Sequence, residues 1–126
     1  MYLFDTNIFL EIMLSQEKSA DCKKALVGNI NFIAISDFSL HSIGVILFRH
    51  KQEKVFNDFV MDVLPKIAMV SLSKESYVKL SELKNVYNLD FDDAYQCSIA
   101  EEENLTIITM DKDFKRVEKR ISVKFI

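Results

Sequence analysis

Glycine and proline are nearly missing from this sequence, with two Gly and one Pro in 126 residues. Few abrupt reversals are available to such a chain, which predicts short connections and much regular structure. Tryptophan is absent, so ten Phe must supply the bulk of a core. There are only two cysteines, Cys22 and Cys97, far apart and without a CxxC spacing. That excludes a disulfide framework and predicts free core thiols in a reducing cytosol, hence a cytoplasmic protein. No apolar run approaches the roughly 18 residues that cross a bilayer. No basic segment precedes an apolar one at the start, where Asp5 interrupts at once, so no signal peptide is expected. Positive charge is also short. The net charge is −3 and the pI about 5.4, which argues against holding nucleic acid by bulk positive charge. It does not exclude an acidic site filled by a divalent cation, since formal charge omits the metal.

What is present is globular. Apolar residues make up 49% and charged residues 28%. The length fits one domain, residues 1–126, and at that size roughly two-thirds of the unfolded surface can be buried. The order of patterns is regular. Strands are predicted over 2–5, 31–35, 67–71, 105–109 and 121–125. Helices are predicted over 6–14, 17–28, 37–49, 51–64, 73–86 and 91–103, with Ala20, Lys24 and Val27 at helical spacing in the second. Ser36 or Asp37 would cap the third helix, Gly28-Asn29 would stop the second, and Pro65 would end the fourth. Strands alternating with helices imply an α/β fold: a three-layer α/β/α arrangement on a central, mainly parallel sheet of about five strands, covered on both faces.

In such a sheet, strand ends and the following helix N-termini share one rim. Four acidic groups fall at those places: Asp5, Asp37, the run Asp90/Asp92/Asp93, and the pair Asp111/Asp113. Carboxylates about 4 Å apart repel by a few kcal/mol, so several on one rim raise each other's pKa or call for a cation. Oxygen-only donors favour Mg²⁺ or Mn²⁺ over Zn²⁺, and His41 and His50 have no zinc-like spacing partner. Aspartate is also common as a helix cap, a sufficient reading for Asp37, Asp90, Asp92 and Asp111 taken singly. Asp5 is different, because it follows an apolar strand directly. Asp93, at about the third helical position beside Ala94, is placed to face the rim.

Asp5-Thr6-Asn7 after an opening strand, Asp93-Ala94 at the start of a late helix, and Thr109-Met110-Asp111-Lys112-Asp113-Phe114 after the next strand together resemble the PIN-domain nucleases, including VapC-type toxins of toxin–antitoxin pairs. The resemblance covers essentially the whole chain. It implies a Mg²⁺- or Mn²⁺-dependent ribonuclease acting on RNA, with Asp5, Asp93 and Asp111 as catalytic carboxylates and Asp113 beside them as a further metal ligand. Asp5 and Asp93 would hold one ion, the source of an activated water, while Asp111 and Asp113 would help stabilise the developing charge. Thr6 and Asn7 would hold Asp5 by hydrogen bonds, and Thr109 would do the same near Asp111. The family's second acidic position is a glutamate, and Ser42 stands there in this sequence, with Asp37 or His41 as partial replacements. The alternative reading is a weakened or non-catalytic RNA- or protein-binding module.

Lys112, Lys115 and Arg116 are candidates to grip an RNA backbone, whereas Lys119, Arg120 and Glu101-Glu102-Glu103 read as solvated helix faces. A surplus of Phe and Met predicts one exposed apolar patch, hence a homodimer or a small antitoxin-like partner. A haloacid-dehalogenase-like phosphotransferase also begins strand–Asp, but needs a second Asp two residues later, where this chain has Asn7.

Overall fold

The computed structural model describes residues 1–126. In chain order the elements are β1 (Tyr2–Phe4), α1 (Thr6–Met13), α2 (Ser19–Gly28), β2 (Ile33–Ser36), α3 (Asp37–Arg49), α4 (Glu53–Asp62), β3 (Ala68–Val70), α5 (Leu80–Tyr87), α6 (Phe91–Glu103), β4 (Thr106–Thr109) and β5 (Val123–Phe125). The strands form one sheet in the order β3-β2-β1-β4-β5, and every neighbouring pair is parallel. The α/β expectation therefore holds. Winding runs outward from β1 through β2 to β3 on one side, and through β4 to β5 on the other. The order reverses between β1 and β4, the place where open α/β sheets form a crevice.

Side chains alternate across a strand with period two, so each interior strand feeds two cores. Leu3, Ala34 and Ile107 point to the face covered by α5 and α6, where they join Leu83, Cys97 and Ile99. Phe4, Ile33, Ile35 and Ile108 point to the opposite face, with Ile8 and Phe9 of α1, Ile43 and Leu47 of α3, and Phe59 of α4. Phe9 sits between Phe4 at 6.1 Å and Phe59 at 5.6 Å, the latter edge-on. Burying each such ring stabilises the fold by about 2–3 kcal/mol. Both cysteines are buried and free. No helix is long and apolar enough to cross a membrane.

Several boundaries differ from expectation for local reasons. Residues 30–32 form a 3₁₀ turn, so β2 starts at Ile33 rather than at 31. The helix expected over 51–64 covers Glu53–Asp62, and Pro65 sits inside a following 3₁₀ turn, Leu64–Lys66, where its missing N–H costs nothing. The first half of the helix expected over 73–86 is a 3₁₀ segment, Lys74–Lys79. In α2 the inward residue is Cys22, while Val27 is 73% exposed. Glu101 is not simply solvated: it pairs with Arg120 at 2.7 Å. Glu102 accepts the Ser73 N–H at 3.0 Å and the Ser76 hydroxyl at 2.6 Å, fixing the start of that 3₁₀ segment.

The scarcity of glycine has a local consequence. The left-handed backbone positions are filled by Ser15, Lys51, Asn88 and Asn104, and by neither glycine. Asn88 and Asn104 end α5 and α6, a use that asparagine tolerates. Lys51, with φ 55° and an exposed side chain, has no such local compensation. Lys51→Gly is therefore expected to stabilise the protein by about 0.5–1 kcal/mol, by removing Cβ strain. Urea denaturation at equal m-value reads this directly, and an unchanged or lower midpoint would refute it.

Candidate active site

Asp5 closes β1. Its backbone N–H extends the β1–β4 ladder to the Ile108 carbonyl at 2.9 Å, which fixes the residue beside β4 at the winding reversal. The side chain is 6% exposed. One oxygen, Oδ1, caps α1 by accepting the Thr6 N–H at 2.8 Å. The other, Oδ2, accepts the Thr109 hydroxyl at 2.8 Å. Thr109 Oγ1 in turn accepts the Asp111 N–H at 2.9 Å. One buried hydroxyl thus ties the end of β1 to the loop after β4. Burial raises the Asp5 carboxyl above its usual range, the two hydrogen bonds act against that, and Asp111 adds to it.

Across the crevice, Asp90 caps α6 through the Asp93 N–H at 3.0 Å. Asp93 is thereby set in the first turn, facing the loop after β4. There Asp111 accepts the Asp113 N–H at 2.9 Å and caps the 3₁₀ segment Lys112–Val117. Carboxylate oxygens of Asp93, Asp111 and Asp113 converge to within 4.8 Å of one another. Asp5 is not a member of this triangle. The capping and clustering readings thus coincide, since the same turns that use aspartate as a cap bring the other carboxylates together. Asp93 carries the consequence. Burial, and then the charges of Asp90, Asp111, Asp5 and Asp113, push its carboxyl up to about 7. The four acidic neighbours, of which Asp113 is paired with Arg116 at 3.4 Å, leave an oxygen-only donor set that suits a hard divalent cation.

A cleft of about 200 Å³ opens beside this cluster, lined among others by Asp5, Asn7, Ser42, Asp92, Asp93 and Gln96. Asn7 is exposed and makes no hydrogen bond to Asp5. The Thr6 hydroxyl is used elsewhere, at 2.7 Å from Ser39 Oγ. Ser39 Oγ already accepts from Ser36 Oγ at 3.0 Å and from Gln96 Nε2 at 2.8 Å. Its own proton is therefore left for Thr6 Oγ1. Gln96 is 2% exposed, and its Oε1 has no hydrogen-bond partner. Of this Ser36–Ser39–Thr6–Gln96 network, the sequence points to Thr6 beside Asp5 and to Ser36 as a cap, but not to Ser39 or Gln96. A signal existed, since Gln96 lies three and four residues after Asp93 and Asp92 on one helix face.

Asp37 does not join the cluster. Its Oδ1 accepts the Phe38 N–H and the Tyr95 hydroxyl, both at 2.8 Å, and its carboxylate lines a neighbouring pocket instead. Of the basic candidates, Arg116 donates to the Asn88 carbonyl at 2.8 Å and lies 3.4 Å from Asp113. Lys112 sits 4.7 Å above the Phe125 ring, and Lys115 is exposed. Arg120 is occupied by Glu101 and Glu82, as a surface pair.

The fold has counterparts among solved structures. VapBC2 from Rickettsia felis, bound to a DNA fragment from its promoter, superposes with a TM-score of 0.76 at 22% identity, covering 99% of this chain and 98% of that one. A toxin–antitoxin complex from Klebsiella pneumoniae gives 0.74 at 26% identity, covering 90% of each. VapC20 from Mycobacterium tuberculosis, a sarcin–ricin loop cleaving toxin, gives 0.79 at 11% identity, covering 96% of each. No curated protein matches the sequence. The family model of the PIN domain matches residues 2–120, nearly the whole chain: this protein belongs to the PIN domain family of nucleases.

Proposed function

We propose that the protein is a Mg²⁺- or Mn²⁺-dependent ribonuclease that hydrolyses phosphodiester bonds, and that residues 1–126 act as one PIN domain in the cytoplasm. The observation that carries this is the convergence of Asp93, Asp111 and Asp113 within 4.8 Å, at the reversal of strand order beside buried Asp5. Those three carboxylates would hold the cation, with Asp5 adding negative charge behind them. When bound, the divalent ion supplies activation of water and charge neutralisation at the phosphate.

The chain's own residues do the rest. The Thr109 hydrogen bond favours the charged form of Asp5 against the effect of burial and ties Asp5 to the Asp111 loop. The Ser39–Gln96 network holds the floor of the cleft. Arg116, anchored to the loop at Asn88, and Lys115 offer positive charge to a backbone phosphate next to the acidic cluster. Asn7 and Ser42 are polar contacts at the cleft wall.

A small antitoxin belongs to the same proposal, since the Rickettsia and Klebsiella structures are of such pairs. An apolar groove is available to it. Val45, Phe48 and Met69 are 38%, 53% and 59% exposed, and they line a groove of about 630 Å³ beside the edge strand β3.

Purified protein with single-stranded RNA is expected to cleave on addition of Mg²⁺ or Mn²⁺ and to stop on chelation. Calorimetry without RNA is expected to record divalent-ion binding. Binding without cleavage of any RNA would instead favour the non-catalytic module, for which the serine at position 42 is the supporting observation.

A further inference from the structure

A second pocket of about 380 Å³ adjoins the acidic cleft, and it is aromatic rather than acidic. Phe38, Tyr77, Phe91 and Tyr95 line it, together with Asp37 and His41. Phe38 also lines the acidic cleft, so the two cavities share a wall. Tyr95 is the buried floor, 3% exposed. Phe91 stacks on it at 6.2 Å and 21°, and Tyr77 meets it edge-on at 5.9 Å. Phe91 and Tyr77 are nevertheless 54% and 46% exposed. Rings held this firmly on one side and open on the other form a stacking platform, and every nucleobase has a face to lay on it.

Asp37 gives the pocket a polar edge. Its Oδ1 is held by the Phe38 N–H and the Tyr95 hydroxyl, while Oδ2 has no protein partner. A carboxylate so fixed accepts hydrogen bonds and donates none. Among the bases, guanine alone presents adjacent N1–H and N2–H donors on its Watson–Crick edge, and the two can converge on Oδ2, whose two acceptor sites are both free. Unpaired bases in single strands are read in this way, by aromatic stacking and edge contacts.

We propose that this pocket binds a guanine base of single-stranded RNA, next to the phosphate at the acidic cluster. The assignment deepens the ribonuclease reading and rests on it. Asp37 and Phe91 then set sequence preference without touching the reacting atoms.

The test is fluorescence anisotropy of labelled UUUUU, UUGUU, UUAUU and UUCUU on the full chain, in Ca²⁺ and again in EDTA, so that no cleavage is needed. UUGUU is expected to bind roughly tenfold tighter than the other three, and Phe91→Ala to weaken the binding of all four by about tenfold. Asp37→Asn is expected to level the four affinities, with circular dichroism confirming the fold. Equal affinity for all four pentamers, or a Phe91→Ala variant that binds UUGUU as tightly as the wild type, overturns the assignment. GMP alone is expected to bind at least tenfold more weakly than UUGUU, and equal binding overturns the strand-reading form. Cleavage by Mg²⁺ with no base preference sinks the pocket and leaves the nuclease. A guanine preference with no cleavage under any divalent ion sinks the nuclease and leaves the pocket.

Discussion

Asp93→Asn is expected to lower Mg²⁺-dependent RNA cleavage by at least about a thousandfold, the scale at which removing electrostatic stabilisation of a transition state acts, while raising the stability of the metal-free protein. The two effects have one cause. Asp93 is pushed up to about 7 by burial and by four acidic neighbours, so its charge is unfavourable until a cation balances it. The substitution is nearly isosteric. The Asp93 backbone N–H keeps its bond to Asp90, and its side chain takes no part in the other hydrogen bonds of the site, so the fold survives. For the sign of the pH effect, the folded pKa of about 7 lies above the ordinary 3.8. Between those values the folded state binds the extra proton, so stability falls as pH rises from about 4 to about 7, then levels. Discounted for partial exposure, the loss is about 1–2 kcal/mol. Thermal melts of the metal-free wild type are expected to show that decline, and melts of Asp93→Asn a smaller one. Wild-type cleavage rates in the variant under single-turnover conditions would remove Asp93 from the site.

Asp5→Asn is a less clean probe of the same site, although the motif makes it the obvious one. Asp5 Oδ1 and Oδ2 both accept hydrogen bonds, from Thr6 and Thr109. An amide would place N–H₂ against a Thr109 hydroxyl that already accepts the Asp111 N–H. Losing a buried acceptor of this kind costs about 1–3 kcal/mol, so lost cleavage would be mixed with lost structure. Asp93 was therefore the more informative member of the acidic set, and only the hydrogen bonds reveal why.

The parts legible in the sequence were those carried by periodicity and by position along strands. Leu3 against Phe4, and Ile107 against Ile108, announce a sheet buried on both faces. The strand-ending Asp5 and the Asp111–Asp113 turn announce where its rim is. The illegible parts depend on helix rotation. Asp37 and Ser42 are five residues apart on α3, hence about 140° apart around its axis. A carboxylate at position 37 cannot serve the wall where Ser42 stands, and it turns to Tyr95 instead. His41, about 100° from Ser42, fails in the same way. Gln96 and Ser39 escaped notice because polar residues within a helix read as solvent-facing until their partners are known. Both are in fact buried and bonded to each other.

The wall at Ser42 is where adding charge is expected to have the clearest effect. Ser42 is half-buried, lines the cleft with Asp5, Asp92 and Asp93, and takes part in no hydrogen bond within the protein. Ser42→Glu brings a further carboxylate to the wall of the cleft that Asp5 and Asp93 also line, without displacing a partner. Without metal, that charge raises the Asp93 carboxyl further and weakens the fold at pH 8. With metal, the same charge becomes attractive. Mn²⁺ affinity by calorimetry is expected to rise roughly tenfold, equivalent to about 1.4 kcal/mol, and Mn²⁺ to raise the melting temperature of the variant more than that of wild type. Ser42→Gln is the control, nearly equal in size and without charge, so any difference between the two variants is electrostatic. If both bind Mn²⁺ equally, the wall at position 42 is too far from the ion to matter. Cleavage that rises with affinity in Ser42→Glu supports a ribonuclease working with an incomplete acidic set. Affinity that rises with no cleavage in either protein supports a cation-binding module that has ceased to cut, because the missing charge would then have been restored without restoring the chemistry.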